Sequence, residues 1–308
     1  MIGYYGNSGN APNSIPLLGD IPDAYNMLIL TFVNVATESD FSPDDLQGPY
    51  SKNHSALAHD IATWKAKADP YGRRRIVTVS SGGQNGAWPA NADPAKVLAN
   101  IESLCAKYGL DGWDIDLEGG AVAGADSLVS VVKALRAKGR VVTACPEATV
   151  GTLQAYADAM PHLSWVQPQF YNNPPSSMGP PFVGQGGGKA APSCAPWKLP
   201  GGAAGWQAAC PSNDTRPFWY ESLSGVRDVY GLAPEQLGML IPYGTDSSQP
   251  GYDYDYAKLS ATLEATGLPH IGGWAIAYDN KDNWRFAKAM AALLEKHAAS
   301  KSAAGGSS

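Results

Sequence analysis

Eight short apolar segments, separated by stretches of helical character, set the fold class of this chain. Each segment has the length of a buried strand, whereas the stretches between them repeat apolar residues at helical spacing. Strands that alternate with helices form parallel sheets, and eight of them suit a closed barrel. We therefore predict an α/β fold, the (β/α)8 TIM barrel, with strands at Ile2–Gly6, Met27–Asn34, Arg75–Ser81, Gly112–Leu117, Arg140–Cys145, Trp165–Phe170, Leu237–Tyr243 and His270–Ala277.

The helices between these strands have readable ends. Asp93-Pro94 predicts a cap and first turn, and Gly109 predicts the stop of the same helix. We assign residues 1–297 to one catalytic barrel and residues 298–308, which are small and polar, to a flexible tail or linker. A stretch rich in Pro, Gly and Ser, from residue 173 to about residue 217, is predicted to be a long loop insertion after strand six.

Composition and charge exclude several classes of partner. The formal net charge is −6 and the Lys and Arg residues are scattered, so no basic face would attract nucleic acid or an anionic membrane. No apolar run is long enough to span a bilayer. The five His and four Cys residues lack the spacing of a metal site, so we expect no metal and no cofactor. We expect a monomer.

The cysteines fall into two pairs, and the start of the chain bears on localisation. Cys194 and Cys210 lie in the loop-like insertion and could close a disulfide, whereas Cys105 and Cys145 are expected to act as small hydrophobes on a helix and a strand. Strand-like sequence begins at Ile2, and no charged leader precedes it. We expect a secreted protein whose export signal has been removed.

The segment Asp111-Gly112-Trp113-Asp114-Ile115-Asp116-Leu117-Glu118 places four carboxylates in and around the predicted fourth strand. Because side chains alternate along a strand, Asp114, Asp116 and Glu118 share one face, about 6.6 Å apart at their backbones. Acids crowded on a partly buried strand raise one another's proton affinity, so at least one stays protonated near neutral pH. Glu118, last in the row, is the candidate general acid.

Two other interpretations of this row are open from the residues alone. It could be a solvated acidic strand, or it could hold a divalent cation, since hard cations prefer oxygen ligands. Its predicted position favours catalysis, because barrels of this type build active sites at the C-terminal ends of their strands. The same edge should receive five further residues, namely Gly83, Glu147, Gln169, Tyr171 and Tyr243.

The pattern Asp-x-x-Asp-x-Asp-x-Glu resembles the signature of the family 18 glycoside hydrolases, which are mostly chitinases. Ser80-Ser81-Gly82-Gly83 is similar to the family's third strand, and Gln169-Phe170-Tyr171-Asn172-Asn173 is similar to its sixth strand. The segments Ile2-Gly3-Tyr4-Tyr5-Gly6-Asn7 and Cys145-Pro146-Glu147 resemble bacterial chitinases of the hevamine-like branch.

The resemblance implies a retaining endo-acting chitinase that cleaves β-1,4 linkages between N-acetylglucosamine units of chitin or chitooligosaccharides, with transglycosylation as a further outcome. The usual two-carboxylate mechanisms need a second acid across the scissile bond, whereas family 18 uses the substrate's own acetamido oxygen and an oxazolinium intermediate. Glu118 would act as acid and then base, and Asp116 would orient the acetamido group. Asp114 would share charge and a proton with Asp116. Tyr171 would donate a hydrogen bond from its hydroxyl to the acetamido oxygen.

The resemblance also implies residues that border the substrate: Tyr4, Phe32, Gly83, Glu147, Gln169, Asn172, Tyr243 and Trp274. Trp274 departs from the family pattern. Aligned on Gly272-Gly273, the tryptophan that forms the floor of the central subsite falls on Ala277, so Trp274 needs a bulge or another register to reach that place.

Two alternative functions are open. One is an endo-β-N-acetylglucosaminidase that acts on N-glycans through the same residues. The other is an inactive chitin-binding lectin on a decayed barrel. The presence of Glu118, Asp116 and Tyr171 argues against decay, since loss of the acid is the usual route to a binding protein.

Overall fold

The computed structural model of the chain describes residues 1–6, 12–42, 45–84, 86, 88–89, 91–119, 125–172, 197–198, 218–243, 253–254, 256, 259–260, 263–264 and 267–305. Eight parallel strands in this part build one sheet. Their side chains are buried on both faces, as expected of a sheet that is filled inside and covered outside by helices. They are β1 (Ile2–Gly6), β2 (Met27–Thr31), β3 (Ile76–Gly82), β4 (Gly112–Asp116), β5 (Val141–Ala144), β6 (Trp165–Val166), β8 (Gly238–Pro242) and β10 (His270–Trp274).

The strands follow one another around a ring. Their order is β6-β5-β4-β3-β2-β1-β10-β8, and every neighbouring pair is parallel. Parallel bridges from Val166 to Leu237 and from Gln169 to Leu240 join the two ends of the sheet. The predicted barrel is therefore confirmed, with its last contact made by bridges instead of a continuous ladder.

Helices connect the strands and cover the outside of the barrel. The helix Pro94–Tyr108 begins with the side chain of Asp93 accepting from the backbone of Ala95, and it ends at Gly109 in the left-handed region, as predicted. The α-helices within the described residues are His54–Ala66, Pro94–Tyr108, Ala125–Ala137, Val150–Ala155, Phe218–Tyr230, Ile276–Lys281 and Arg285–Gly305. Single turns of 3-10 helix lie at Pro12–Ser14, Leu18–Asp20, Gly48–Tyr50, Met160–His162 and Pro234–Gln236.

Three strands end three or four residues earlier than predicted. β6 stops at Val166 because Pro168 has no N–H to donate, and pairing resumes only as bridges at Gln169. β10 stops at Trp274 instead of Ala277, since its last partner is Pro242, and Ala277 lies in the next helix. β2 also ends early, at Thr31.

Some sequence predictions fall at or beyond the limits of the described residues. Cys194 and Cys210 lie outside the described residues, and so does the disulfide predicted between them. The insertion contributes one described element, β7 (Trp197–Lys198), which pairs antiparallel with β9 (Asp253–Tyr254). The last helix continues to Gly305, so the predicted flexible tail is helical to that residue, and the boundary at residue 297 stays a prediction. None of the described helices combines the length and apolarity needed to cross a bilayer.

Candidate active site

The acid row follows β4 to the C-terminal mouth of the barrel. Asp114 and Asp116 lie on the strand and are buried, with Asp116 4% exposed, and Glu118 follows two residues past the strand end, where it is half-buried. The intervening Ile115 and Leu117 are buried on the other face. The alternation predicted from the sequence therefore presents three acids to the barrel interior and its opening.

Asp114 is the most deeply buried acid and is surrounded by hydroxyl donors. Its Oδ2 accepts from Tyr4 Oη at 3.1 Å and from Ser80 Oγ at 2.7 Å, and its Oδ1 accepts from Thr143 Oγ1 at 2.5 Å. Burial raises the pKa of Asp114, and the hydrogen bonds from Thr143, Ser80 and Tyr4 oppose that rise because they favour the carboxylate.

Asp116 and Glu118 form a pair linked by one amide group. Gln169 Nε2 lies 2.8 Å from Asp116 Oδ1, 3.2 Å from Glu118 Oε1 and 2.9 Å from the carbonyl oxygen of Cys145. Burial, followed by the charges of Glu118 and Asp114, raises the pKa of Asp116 well above its ordinary value. Burial also raises the pKa of Glu118, against the hydrogen bond from Gln169. The pair is therefore built to retain a proton.

Two neighbours fix the position of Glu118. The hydroxyl of Tyr156 bonds both backbone groups of Leu117, at 2.9 Å from its nitrogen and 3.1 Å from its oxygen. Glu147 Oε2 accepts from the backbone nitrogen of Gly119 at 3.0 Å and from the hydroxyl of Thr152 at 3.2 Å. The negative charge of Glu147 further raises the pKa of Glu118, after the effect of burial. Glu147 thus lies beside the row, at the edge where it was predicted.

Tyr4 supports the row from inside the barrel. The side chain is fully buried, and its hydroxyl donates to Asp114 while accepting from Gln167 Nε2 at 3.0 Å. Burial raises the pKa of Tyr4 well above its usual range, so the hydroxyl remains a donor. Its geometry favours a supporting contact with Asp114 over the predicted place against the substrate.

An aromatic group closes the opposite side of the mouth. The Trp274 ring stacks on Phe32, with centroids 5.6 Å apart, and is tilted against Tyr4 at 5.8 Å. Trp274 is the last residue of β10 and both it and Phe32 are half-buried. A β-carbon on Gly272 would contact Ile2 and Gln167, so Gly272 faces the barrel interior. Trp274 lies two residues further along β10 and shares that face, so no bulge is needed.

The two glycines at the end of β3, Gly82 and Gly83, allow the strand ends to approach closely. A β-carbon on Gly82 would lie 1.9 Å from the carbonyl oxygen of Asp116, and one on Gly83 would lie 2.8 Å from the Phe32 ring. Gly83 also donates its N–H to the Asp116 carbonyl at 2.7 Å, with φ at +81°. Any larger residue would push β3 away from the acid pair. Gly83 therefore lies beside the acid row, and its contact with substrate stays a prediction.

The remaining predicted residues divide into two groups. Tyr171 is buried two residues beyond Gln169, and Asn172 follows it, exposed and with φ at +60°. Tyr243 lies apart from the acids. Its ring packs between Tyr25 and Phe286 on the outside of the sheet, and its hydroxyl donates to the carbonyl of Ile2 at 2.8 Å. This position favours a packing role over the predicted contact with substrate.

Gln167, Cys145 and Tyr156 also belong to this network, although they were not predicted as site residues. Gln167 shares the inward face of its strand with Gln169, and Cys145 shares that of β5 with Thr143, so alternation alone could have flagged both. Tyr156 carried no such signal, because it reaches Leu117 from the turn after a helix. Among the described residues, no group of three His, Cys, Asp or Glu side chains is arranged to hold a metal ion.

Comparison with known proteins identifies the architecture. Residues 1–193 match the sequence family named Glycosyl hydrolases family 18. Exochitinase 1 of Streptomyces olivaceoviridis is 30% identical over 123 residues, a stretch that covers 39% of this chain and 20% of that much longer protein.

Solved structures share the fold across almost the whole chain. A candidate chitinase A from Streptomyces coelicolor has a TM-score of 0.67 at 20% identity, covering 96% of this chain and 98% of its own. The Group IV chitinase of Ostrinia furnacalis has a TM-score of 0.61 at 13% identity, with 96% and 99% covered. Human YKL-39, a pseudo-chitinase that retains chitooligosaccharide binding, has a TM-score of 0.58 at 11% identity, with 96% and 99% covered.

The arrangement has the parts that hydrolysis of a glycosidic bond requires. A half-buried carboxyl that retains its proton can protonate a leaving oxygen, and the adjacent acid can stabilise the charge that develops. Both lie at the strand ends where barrel enzymes build their sites. With the family match over more than half of its length, the chain belongs to the family 18 glycosyl hydrolases.

Proposed function

We propose that the protein is a retaining chitinase that cuts β-1,4 linkages between N-acetylglucosamine units with the help of the substrate's own acetamido group. The observation that carries the proposal is the linkage of Asp116 and Glu118 through Gln169 at the barrel mouth. It gives one carboxyl that donates a proton and a second that can receive an N–H from the substrate.

The positions of the acids support substrate assistance. A retaining glycosidase of the usual kind has its two carboxyl groups about 5 Å apart, on either side of the scissile bond. Here the acids that act on Glu118 come from β4 and the end of the neighbouring β5. Acids on adjacent strands approach a sugar from the same side, so the attacking group has to come from elsewhere. The acetamido oxygen of the sugar can reach the anomeric carbon from the other side.

Each step assigns a role to a described side chain. Glu118 protonates the leaving oxygen and later takes a proton from water. Asp116 accepts the acetamido N–H and steadies the oxazolinium, while Asp114 holds a negative charge behind it, stabilised by three hydroxyls. Tyr171 donates to the acetamido oxygen, and Trp274 provides an apolar surface for the sugar ring.

Digestion of a six-unit N-acetylglucosamine oligomer tests this proposal. We expect cleavage at internal bonds, with the new reducing ends of the products formed first as the β-anomer. Chromatography identifies the product lengths, and NMR recorded before mutarotation identifies the anomer. Products that begin as the α-anomer would contradict retention. Binding of the oligomer without any cleavage would place the chain with binding proteins such as the pseudo-chitinase YKL-39.

Endo action is the finer part of the proposal. An enzyme that cuts internally releases mixtures of dimer, trimer and tetramer at early times, whereas one that works from an end releases a single short product. The same digestion separates these cases when the first products are quantified. An N-glycan with a chitobiose core serves as the comparison substrate, and faster cleavage there would favour an endo-β-N-acetylglucosaminidase.

A further inference from the structure

The hydrogen-bond ladder between β4 and β5 opens at the barrel mouth. Near the strand ends, the N–H of Cys145 donates to the carbonyl of Ile115 at 3.0 Å. In parallel strands of this register, the next rung would join the Leu117 N–H to the Cys145 carbonyl. Each of these groups has another partner instead. The Cys145 carbonyl accepts from Gln169 Nε2 at 2.9 Å, and the Leu117 N–H donates to Tyr156 Oη at 2.9 Å.

One hydroxyl takes the place of two rungs. The Tyr156 hydroxyl accepts from the Leu117 N–H and also donates to the Leu117 carbonyl, at 3.1 Å. In a continuing ladder, these two backbone groups would pair with Cys145 and Glu147 of the other strand. Tyr156 is fully buried, and this burial raises the pKa of its hydroxyl well above the usual range. The hydroxyl therefore keeps its proton and can serve as acceptor and donor at once.

The residue that follows Glu118 is held from the same side. Glu147 Oε2 accepts from the N–H of Gly119 at 3.0 Å and from the hydroxyl of Thr152 at 3.2 Å. Thr152 belongs to the helix Val150–Ala155, and Tyr156 follows that helix directly. The backbone on both sides of Glu118 is thus held by side chains from one segment, residues 147–156.

Glu118 depends on these contacts because it lies beyond its strand. β4 ends at Asp116, and its pairing with β5 ends one residue earlier. On the other side of β4, the N–H of Gly83 donates to the Asp116 carbonyl at 2.7 Å. Leu117 is therefore the residue through which the direction of Glu118 is set on the β5 side. A misplacement of about 1 Å in a catalytic group can cost about a hundred-fold in rate.

We propose that Tyr156 is a positioning residue that replaces two rungs of the ladder, fixes the backbone of Leu117 and so aims the carboxyl of Glu118 at the leaving oxygen. It acts through Leu117 and is too deeply buried to touch a substrate. The inference rests on the proposed function for its kinetic consequence alone, since the contact between Tyr156 and Leu117 can be measured without substrate.

Tyr156→Phe tests the inference, because it keeps the ring and removes the hydroxyl. With the six-unit N-acetylglucosamine oligomer, kcat should fall by about tenfold, and KM should stay within about twofold of wild type. Tyr5→Phe is the matched control. Tyr5 is also fully buried, and its hydroxyl donates to the carbonyl of Pro16 at 2.6 Å, away from the acid row. Both variants should lower the melting temperature, but Tyr5→Phe should keep the kcat of wild type.

The kinetic outcomes separate positioning from packing. Rates are compared well below the melting temperature of each variant, so that both are fully folded. A wild-type kcat in Tyr156→Phe would overturn the inference and leave Tyr156 as a packing residue. A rise of KM without a fall of kcat would also overturn it, as would an equal fall of kcat in Tyr5→Phe, since general destabilisation would then explain the loss.

Amide hydrogen exchange followed by NMR tests the contact without substrate. In wild type, the Leu117 N–H should be protected like that of Ile115, which lies within the ladder. In Tyr156→Phe, exchange at Leu117 should become faster by about tenfold or more, while Ile115 keeps its rate. If Tyr156→Phe does not fold, the wild-type measurement decides alone, and rapid exchange at Leu117 contradicts the inference.

The two measurements also separate this inference from the proposed function. If wild type cleaves no amino-sugar oligomer but exchange at Leu117 depends on the Tyr156 hydroxyl, the function fails and the positioning contact stands. If wild type cleaves the oligomer and neither kcat nor exchange at Leu117 depends on that hydroxyl, the inference fails alone.

Discussion

The two ends of β4 carry acids with opposite surroundings. At the start, Asp111 is 9% exposed and is paired with Lys65 Nζ at 2.8 Å and Arg74 Nη2 at 2.7 Å, and it accepts from the backbone of Val77. At the far end, no ion pair found among the described residues involves Asp114, Asp116 or Glu118. These acids receive hydroxyls, an amide and a thiol instead.

This difference separates stability from function along one strand. Asp111, neutralised by two cations at the N-terminal end of β4, holds the strand in place. The acids at the barrel mouth have no cation beside them and retain protons that are available for catalysis. The Asp-x-x-Asp-x-Asp-x-Glu pattern therefore contains one structural member and three members of the active site. The same Asp-to-Asn substitution should therefore lower activity at the mouth and lower stability at the opposite end.

The largest effect is expected from Asp116→Asn. The amide keeps the shape of the side chain but cannot carry the negative charge that stabilises the oxazolinium, so kcat on N-acetylglucosamine oligomers should fall by about a hundred- to thousand-fold. Initial rates at several substrate concentrations measure this. A variant with wild-type kcat would remove Asp116 from the mechanism.

Asp111→Asn should act on stability instead. Loss of the charge leaves Lys65 without its partner at the N-terminal end of β4, so the free energy of unfolding should drop by about 2 kcal/mol. The loss should be smaller than for a fully buried pair, because Arg74 is largely exposed. Denaturant titration gives the value. The kcat of the folded variant should equal that of wild type, and a large loss of kcat would break the separation between the two ends.

The pH dependence of stability sharpens the comparison. The folded-state pKa values of Asp116 and Glu118 are raised above their ordinary values of 3.8 and 4.5, so the folded protein binds protons more tightly than the unfolded chain. Their stabilising contribution is complete below about pH 4 and is lost as the pH rises through the folded pKa values.

Glu118→Gln removes one of these acids and should flatten that decline. Its free energy of unfolding at neutral pH should exceed that of wild type by about 1 kcal/mol, as is common when a strained active site is relieved. Melting temperatures from pH 4 to pH 8 give the comparison, with Asp111→Asn as the control that keeps the slope. A steeper fall of stability with pH in Glu118→Gln would show that Asp116 and Glu118 do not cause the pH dependence.

The smallest effect is expected from Tyr243→Phe. Removal of the hydroxyl leaves the Ile2 carbonyl without a buried donor and should cost about 1 kcal/mol of stability. Because the ring lies outside the sheet, KM for oligosaccharides should not change. A several-fold rise in KM would restore Tyr243 to the substrate cleft and would extend the functional end of the barrel.

Sequence patterns predicted the positions of the eight strands along the chain and the alternation of β4, because both follow from local periodicity. The family resemblance placed Tyr4 and Tyr243 against the substrate, but it could not tell which face of the sheet or which depth each ring would take. The end of β10 was misjudged because the pairing of Trp274 with Pro242 is set by a neighbouring strand, not by the local sequence. Cys145 was taken for a hydrophobe since its polar partners come from β4 and β1.

The turnover and binding of Glu118→Gln test the central claim most directly. The account predicts that this variant binds the six-unit N-acetylglucosamine oligomer with a Kd within a few-fold of wild type, while its kcat falls by about a thousand-fold or more. Calorimetry gives the first value and product analysis the second. Turnover close to that of wild type would contradict the assignment of Glu118 as the proton donor.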